Sequence, residues 1–192
     1  MSFISLNFVV LFACTFILYH TLPSRFRKAT LLTASCLFIG FYHLTFLITA
    51  LILTLTTFYL GKWIGQAKRE SGMKGIYFSG VCFLVVSWLA FRYADRLTNC
   101  HILFPLGISF YTFQAISYLT EIYWQEEEPE KSLPDFMIYM LFFMKFLSGP
   151  IERAGDMLPQ LKSCKATDYT SMVYGMRLIV VGLIKKLILA DS

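Results

Sequence analysis

The stretch ATLLTASCLFIGFYHLTFLITALILTLTTFYL, running from Ala29 to Leu60, contains no Asp, Glu, Lys or Arg. As one straight helix it would reach roughly 50 Å, at about 1.5 Å per residue, against a bilayer hydrocarbon core of about 30 Å. Basic residues stand on both sides of it: Arg25, Arg27 and Lys28 before, and Lys62, Lys68, Arg69 and Lys74 after. Lys and Arg gather in cytoplasmic loops, and a single crossing would put the two clusters on opposite sides of a membrane. A hairpin around Gly40-Phe41-Tyr42-His43 removes both conflicts. Two shorter helices are therefore predicted here, with both basic loops cytoplasmic.

The same reading extends outward. Phe3 to Leu22 has no positive residue ahead of its apolar run and no small-x-small cleavage pattern behind it, so it reads as a retained span and not as a secretory signal. Ile76 to Phe91 is a further span, ended by Arg92 and Arg96, and a helix is expected from Phe104 to Tyr123 with Pro105 in its first turn. Gln125 to Lys131 carries Glu126, Glu127, Glu128 and Glu130 and reads as a solvated loop. Phe136 to Leu147 is apolar except for Lys145, and Gly149-Pro150 breaks it. A polar connector from Glu152 to Thr170 leads to a last apolar helix, Met172 to Ala190.

Composition agrees, with 57% of the 192 residues hydrophobic and 15% charged, where soluble domains carry about 25% charged residues. The expected fold class is all-α: a polytopic helical membrane protein with about six transmembrane or partly spanning helices, forming one membrane domain over residues 1–192. A lipid bilayer is thus the first partner. The net charge of +5 is split among short loops and gives no continuous basic face, which argues against nucleic-acid binding. The five cysteines (Cys14, Cys36, Cys82, Cys100 and Cys164) are scattered and lack CxxC spacing, so neither a disulfide framework nor a metal site is read from them.

The segment Pro105 to Tyr123 is too polar for a plain lipid anchor. On a helix Gly107, Tyr111, Gln114, Tyr118 and Glu121 fall at i, i+4, i+7, i+11 and i+14, a stripe covering an arc of roughly 80°. A charge at the bilayer centre costs at least about 2.5–3.5 kcal/mol, so this stripe faces protein, water or substrate. Two readings stand side by side: the polar wall of a substrate tunnel, or an interhelical hydrogen-bond seam. Lys145 poses a related choice between snorkelling to the interface and pairing with Glu121.

Three collinear segments resemble the bacterial membrane-bound O-acyltransferase family, in its branch of alginate O-acetyltransferases and D-alanyl transfer proteins. Pro105-Leu-Gly-Ile-Ser-Phe-Tyr-Thr-Phe-Gln114 is similar to the family signature and includes Gly107, Ser109 and Phe110. Ser148-Gly-Pro-Ile-Glu-Arg153 resembles its Gly-Pro-Ile-x-Arg element through Gly149, Pro150 and Arg153. Gly182-Leu-Ile-Lys-Lys-Leu-Ile-Leu-Ala-Asp191 resembles a third, carried by Lys185, Lys186 and Asp191. Glu121 stands where the family commonly has Asp, and Met144-Lys145 replaces a stretch that often contains Pro.

The resemblance implies transfer of an acyl group, often acetyl, from a thioester donor (acyl-CoA or an acyl carrier) to a hydroxyl of an extracytoplasmic polysaccharide such as alginate. It implies a bacterial inner membrane, no bound cofactor, and a second membrane or periplasmic subunit among the partners. Family members are much longer, and their essential histidine lies beyond the point matching Ser192. His20, His43 and His101 do not match that position, so no catalytic residue is assigned. The expectation is an N-terminal portion that does not catalyse alone. A non-catalytic membrane subunit, a truncated remnant and a small transporter are the alternatives.

Overall fold

The computed structural model describes residues 6–98, 107–146, 152–163, 168–185 and 188. The regular elements among the described residues are all helices, with no strand, as the all-α expectation requires. The chain divides into two compact units, residues 1–162 and 163–192.

In the first unit α1 spans Leu6–Thr21, α2 Ser24–Tyr42, α3 Leu44–Gln66 and α4 Glu70–Thr98. The predicted hairpin is present: His43 is extended, with φ −164° and ψ 137°, and α2 and α3 pack on each other either side of it. Helix α3 runs past Leu60 to Gln66, so Lys62 and Trp63 lie on the helix and not in a loop. Helix α4 begins at Glu70, earlier than the expected Ile76. The ion pair between Lys74 and Glu70, 2.6 Å across one helical turn, supports this extra turn.

After the stretch 99–106, which lies outside the described residues together with Pro105, come α5 (Ile108–Tyr123) and α6 (Leu133–Leu141). Residues 124–132 form the expected loop. Ser132 caps α6, with Pro134 in the first turn, the Ser-x-x-acid pattern that marks a helix start. Phe142 then leaves helical geometry, and the short α7 follows at Phe143–Phe146. The connector expected to be irregular holds a helix, α8 (Ala154–Ser163). Gly149 and Pro150, read as a break, lie outside the described residues.

The core gathers α2, α3, α5 and α6. Phe38, Ile39, Tyr118, Leu119, Phe136 and Tyr139 are completely buried in it. Its threonines and serines fit because each hydroxyl bonds a carbonyl one turn back: Ser35 to Leu31, Thr54 to Ala50 and Thr57 to Leu53, all at 2.7–2.8 Å. Helix α4 joins through Tyr77, stacked on Tyr123 at 4.4 Å and hydrogen-bonded to Thr120 at 3.1 Å.

Gly61 and Gly65 let α3 approach α5 and the loop beyond it. Gly61 faces Tyr118, and Gly65 faces Pro129. Together with the Lys28–Asp135 ion pair at 2.7 Å, these contacts bring the α1–α2 turn, the C-terminal end of α3 and the α5–α6 loop to one end of the unit. The outward faces of α3 and α4 carry Ile48, Ile52, Trp63, Phe78 and Val86, all exposed. By length and composition Leu44–Gln66 and Glu70–Tyr93 can each cross a membrane, and Asn7–Thr21 is a shorter apolar helix.

The second unit contributes α9, Tyr169–Lys185, whose side chains are mostly exposed and apolar. It starts a turn before the expected Met172.

A Cβ on Gly61 would lie 2.7 Å from Tyr118 Cε1 and 3.0 Å from Ile122 Cδ1. Gly61→Val should therefore destabilise the detergent-solubilised chain by about 1–3 kcal/mol, as overpacking does. Gly72→Ala, at a position with open space around it, should leave the thermal midpoint unchanged or raise it. Equal losses in both variants would mean that the α3–α5 approach is not close.

Candidate functional site

The polar stripe of α5 is where the sequence concentrates its chemistry. Gly107 starts it, with φ 75° and ψ 0°, a left-handed conformation glycine adopts without a Cβ clash. Its carbonyl accepts from Tyr111 N–H at 3.2 Å, which opens the helix. Tyr111, Gln114, Tyr118 and Glu121 are all buried, whereas Phe110 and Phe113 on another face are exposed.

Each polar atom whose partner can be traced is directed at protein. Gln114 Nε2 donates to the carbonyl of Tyr139 on α6 at 2.9 Å. Tyr118 hydroxyl accepts from the Glu130 amide at 3.0 Å. Glu121 Oε1 accepts from Ser117 Oγ at 3.1 Å, and its Oε2 accepts from the amide of Ala154 at 3.3 Å. Ala154 is the first residue of α8, so the Glu121 carboxylate sits where the helix dipole favours a negative charge. Of the two readings of the stripe, this is the geometry of the hydrogen-bond seam.

Sequence reasoning missed three residues that complete it. Glu130 is buried; Oε1 accepts from the amides of Lys131 and Ser132 at 2.9 Å, and Oε2 pairs with Lys162 at 2.6 Å. Tyr139 hydroxyl donates to the Glu152 carbonyl at 2.9 Å. Helix α8 is thus tied to the rest by Glu121 at its first residue and by Glu130 near its last. Glu130 was read as one of four loop acids. Its distinguishing signal is its place two residues before the Ser132 cap, where the backbone amides of Lys131 and Ser132 need acceptors.

The proposed pairing of Lys145 with Glu121 is corrected. Lys145 Nζ lies 3.5 Å from Glu152 Oε2, 3.1 Å from Met157 Sδ and 4.5 Å from the Tyr139 ring centroid. It does not snorkel either, being only 8% exposed. The break at Phe142 re-aims the chain, so Lys145 meets the α8 side of the seam while Glu121 is occupied one step away.

The hydrogen bonds traced to the Glu121 carboxylate come from none of the other described motif residues. Ser109 accepts from Trp88 Nε1 at 3.0 Å and joins α5 to α4. Arg153 has an exposed side chain, and its carbonyl accepts from the Asp156 and Met157 amides at 3.3 Å. Lys185 is exposed in the last turn of α9. Lys186 and Asp191 lie outside the described residues, as do Cys100, His101 and Cys164. His20 bonds its own helix at the Phe16 carbonyl, and His43 packs on Phe46 at the α2–α3 break. Among the described residues no group of three or more His, Cys, Asp or Glu side chains is placed to hold a metal ion.

Helix α5, which carries most of the first of the three resembling segments, thus meets the residue directly after Arg153 at the Glu121–Ala154 contact. The chain's curated relatives include the probable alginate O-acetylases of Azotobacter vinelandii, 30% identical over the whole chain and 42% of that protein, and of Pseudomonas aeruginosa, 29% identical over the whole chain and 40% of that protein. The peptidoglycan O-acetyltransferase of Helicobacter pylori is 25% identical over 87% of this chain and 39% of its own length. No family model and no solved structure matches the chain. The chain spans about two fifths of the length of these relatives.

Removing the Glu121 carboxylate leaves the Ala154 amide buried without its acceptor. Glu121→Ala should cost about 1.5–3 kcal/mol, and amide hydrogen exchange over residues 154–157 should speed up while that over α3 stays slow. Glu121→Gln keeps an acceptor and should show a smaller effect. Unchanged exchange in the alanine variant would mean that the contact does not hold α8.

For the lysine, a double-mutant cycle between Lys145→Met and Glu152→Gln should return a coupling of about 0.5–3 kcal/mol. The cycle of Lys145→Met with Glu121→Gln should return less coupling, because neither side chain is the other's partner. The opposite order of the two couplings would restore the Lys145–Glu121 pair.

Proposed function

We propose that this chain is the membrane-embedded scaffold of an O-acetyltransferase acting on an extracytoplasmic polysaccharide. The observation that carries the reading is the whole-chain relation to proteins named for O-acetylation of alginate, together with the partial match to one named for peptidoglycan. Two chemically different acceptors among the relatives favour a shared acetyl-transfer step over any one glycan. The acyl thioester donor enters as a substrate, and the acceptor supplies a hydroxyl. The protein sits in the inner membrane with α1 and the α2–α3 hairpin, α4 and α5 among its spans, and both basic turns cytoplasmic. The exposed apolar faces of α3 and α4 support a lipid surrounding, since large contiguous apolar surfaces are not left in water.

In this reading Tyr111, Gln114, Tyr118 and Glu121 are positioning residues. Gln114 holds α6, Tyr118 the α5–α6 loop and Glu121 the start of α8, and together they fix the walls between which an acyl group passes. General-base catalysis needs a group that reaches the acceptor hydroxyl. His20 bonds its own helix and His43 packs on Phe46, and in this reading the base is supplied by another part of the enzyme or by a second subunit. The 192-residue chain alone then does not complete the transfer.

A chimera tests this directly. Residues 1–192 replace the matching part of the Azotobacter vinelandii relative, and acetyl-ester formation on polymannuronate is measured in membranes supplied with labelled acetyl donor. The chimera should transfer acetyl within about tenfold of the parent, equivalent to about 1.4 kcal/mol of barrier. The lone chain should give no more than empty membranes. A chimera that inserts but transfers nothing sinks the scaffold reading, and transfer by the lone chain at the parent's rate sinks the need for a second part. A lone chain that co-purifies with a separate histidine-bearing protein identifies the subunit arrangement.

A further inference from the structure

The basic residues at the α1–α2 corner are not equivalent. Lys28 Nζ meets the buried Asp135 carboxylate at 2.7 Å and is accounted for by the fold. Arg25 and Arg27 have no carboxylate within ion-pairing distance among the described residues. Each lies against an aromatic ring instead: Arg25 at 4.7 Å from the Phe26 centroid, Arg27 at 5.3 Å from that of Tyr19. Arg27 Nε is buried and has no hydrogen-bond partner. The first turn of α2 holds no acidic residue to offset these charges.

The preceding helix α1, which Arg27 meets at Tyr19, carries exposed apolar side chains. Val9 and Phe16, and likewise Val10 and Ile17, stand seven residues apart and so share one side of α1. All four are exposed, as is Phe26. Two planar cations at the α1–α2 corner, next to a helix with exposed apolar side chains, match a molecule with an anionic head and hydrocarbon tails. Guanidinium groups suit phosphate because they present parallel N–H donors.

We propose that the α1–α2 corner binds the headgroup of an anionic phospholipid of the cytoplasmic leaflet, with Arg25 and Arg27 on its phosphate and its acyl chains along α1. This rests on the membrane-spanning reading and is independent of acetyl transfer. The other basic cluster at the same end, Lys68 and Arg69, is exposed and also lacks a carboxylate partner, but no aromatic ring flanks either charge among the described residues. It provides the control for unspecific surface charge.

The test uses the full 192-residue chain in nanodiscs of phosphatidylcholine containing one quarter phosphatidylglycerol, with lipids retained after gentle detergent extraction counted by native mass spectrometry. Phosphatidylglycerol should be enriched over its share of the bilayer. Arg25→Gln/Arg27→Gln should lower its affinity about fivefold per arginine, roughly 25- to 30-fold for the pair. Arg25→Lys/Arg27→Lys should retain part of it, and Lys68→Gln/Arg69→Gln most of it, with circular dichroism and size exclusion confirming that each variant folds. No enrichment in the parent chain, or equal losses in the two glutamine pairs, overturns the site. Displacement by soluble glycerophosphate at the same phosphate concentration reassigns it to free phosphate and overturns the lipid assignment. Resistance of the chain to alkaline extraction from membranes is measured in parallel. Release by alkali overturns the membrane reading itself, whereas a resistant chain without lipid enrichment overturns only this proposal.

Discussion

A polar group that leaves water must find its partner inside the protein, and an unpaired one costs about 1–3 kcal/mol. That constraint organises the first unit. Glutamine, glutamate and tyrosine on α5 are tolerable because the Tyr139 carbonyl and the Glu130 and Ala154 amides are placed against them. The arrangement is reciprocal. The first amide of α8 and the amides leading into α6 need acceptors as much as the α5 side chains need donors.

The seam also explains why short, interrupted helices pack against long continuous ones. Helices α3 and α4 satisfy their backbones internally and contribute apolar faces and glycine gaps. Helices α6, α7 and α8 are brief and leave more termini, so they dock where side chains can complete them. Ser35 accepts from the Phe143 amide at 3.2 Å, just where the chain has left the α6 ladder. Lys145, Glu152 and Tyr139 finish the corner with an ion pair and a cation–π contact. Carbon–carbon contacts make the unit close; these hydrogen bonds give it one particular arrangement.

Much of the fold was readable because it rests on local rules. The length of the Ala29–Leu60 run, set against the helical rise, placed a break around Gly40–His43, where the structure has it at His43, and the spacing of polar residues on α5 placed four of them on one buried face. What escaped was information held in contacts between distant residues. Helix α8 looked like a linker because its composition is polar, and it packs through residues far upstream, among them Glu121 and Glu130, more than 30 residues away. The choice left open for Lys145, snorkelling or pairing with Glu121, did not include its partner Glu152, because a sequence shows the charges but not the turn at Phe142. Of the motif residues, the α5 set meets at one place, while Arg153 and Lys185 present exposed side chains.

The Lys28–Asp135 and Ser35–Phe143 contacts join positions 107 and 108 residues apart. A ribosome adds roughly 5–20 residues per second. Helix α2 therefore emerges some 5 to 20 seconds before α6 and α7 exist, at the rates just given. During that interval its lysine lacks its carboxylate and its serine lacks its second partner. The earliest-made hairpin is consequently also the last to be completed, and the time it spends waiting is set by the length of chain between the two halves of each contact.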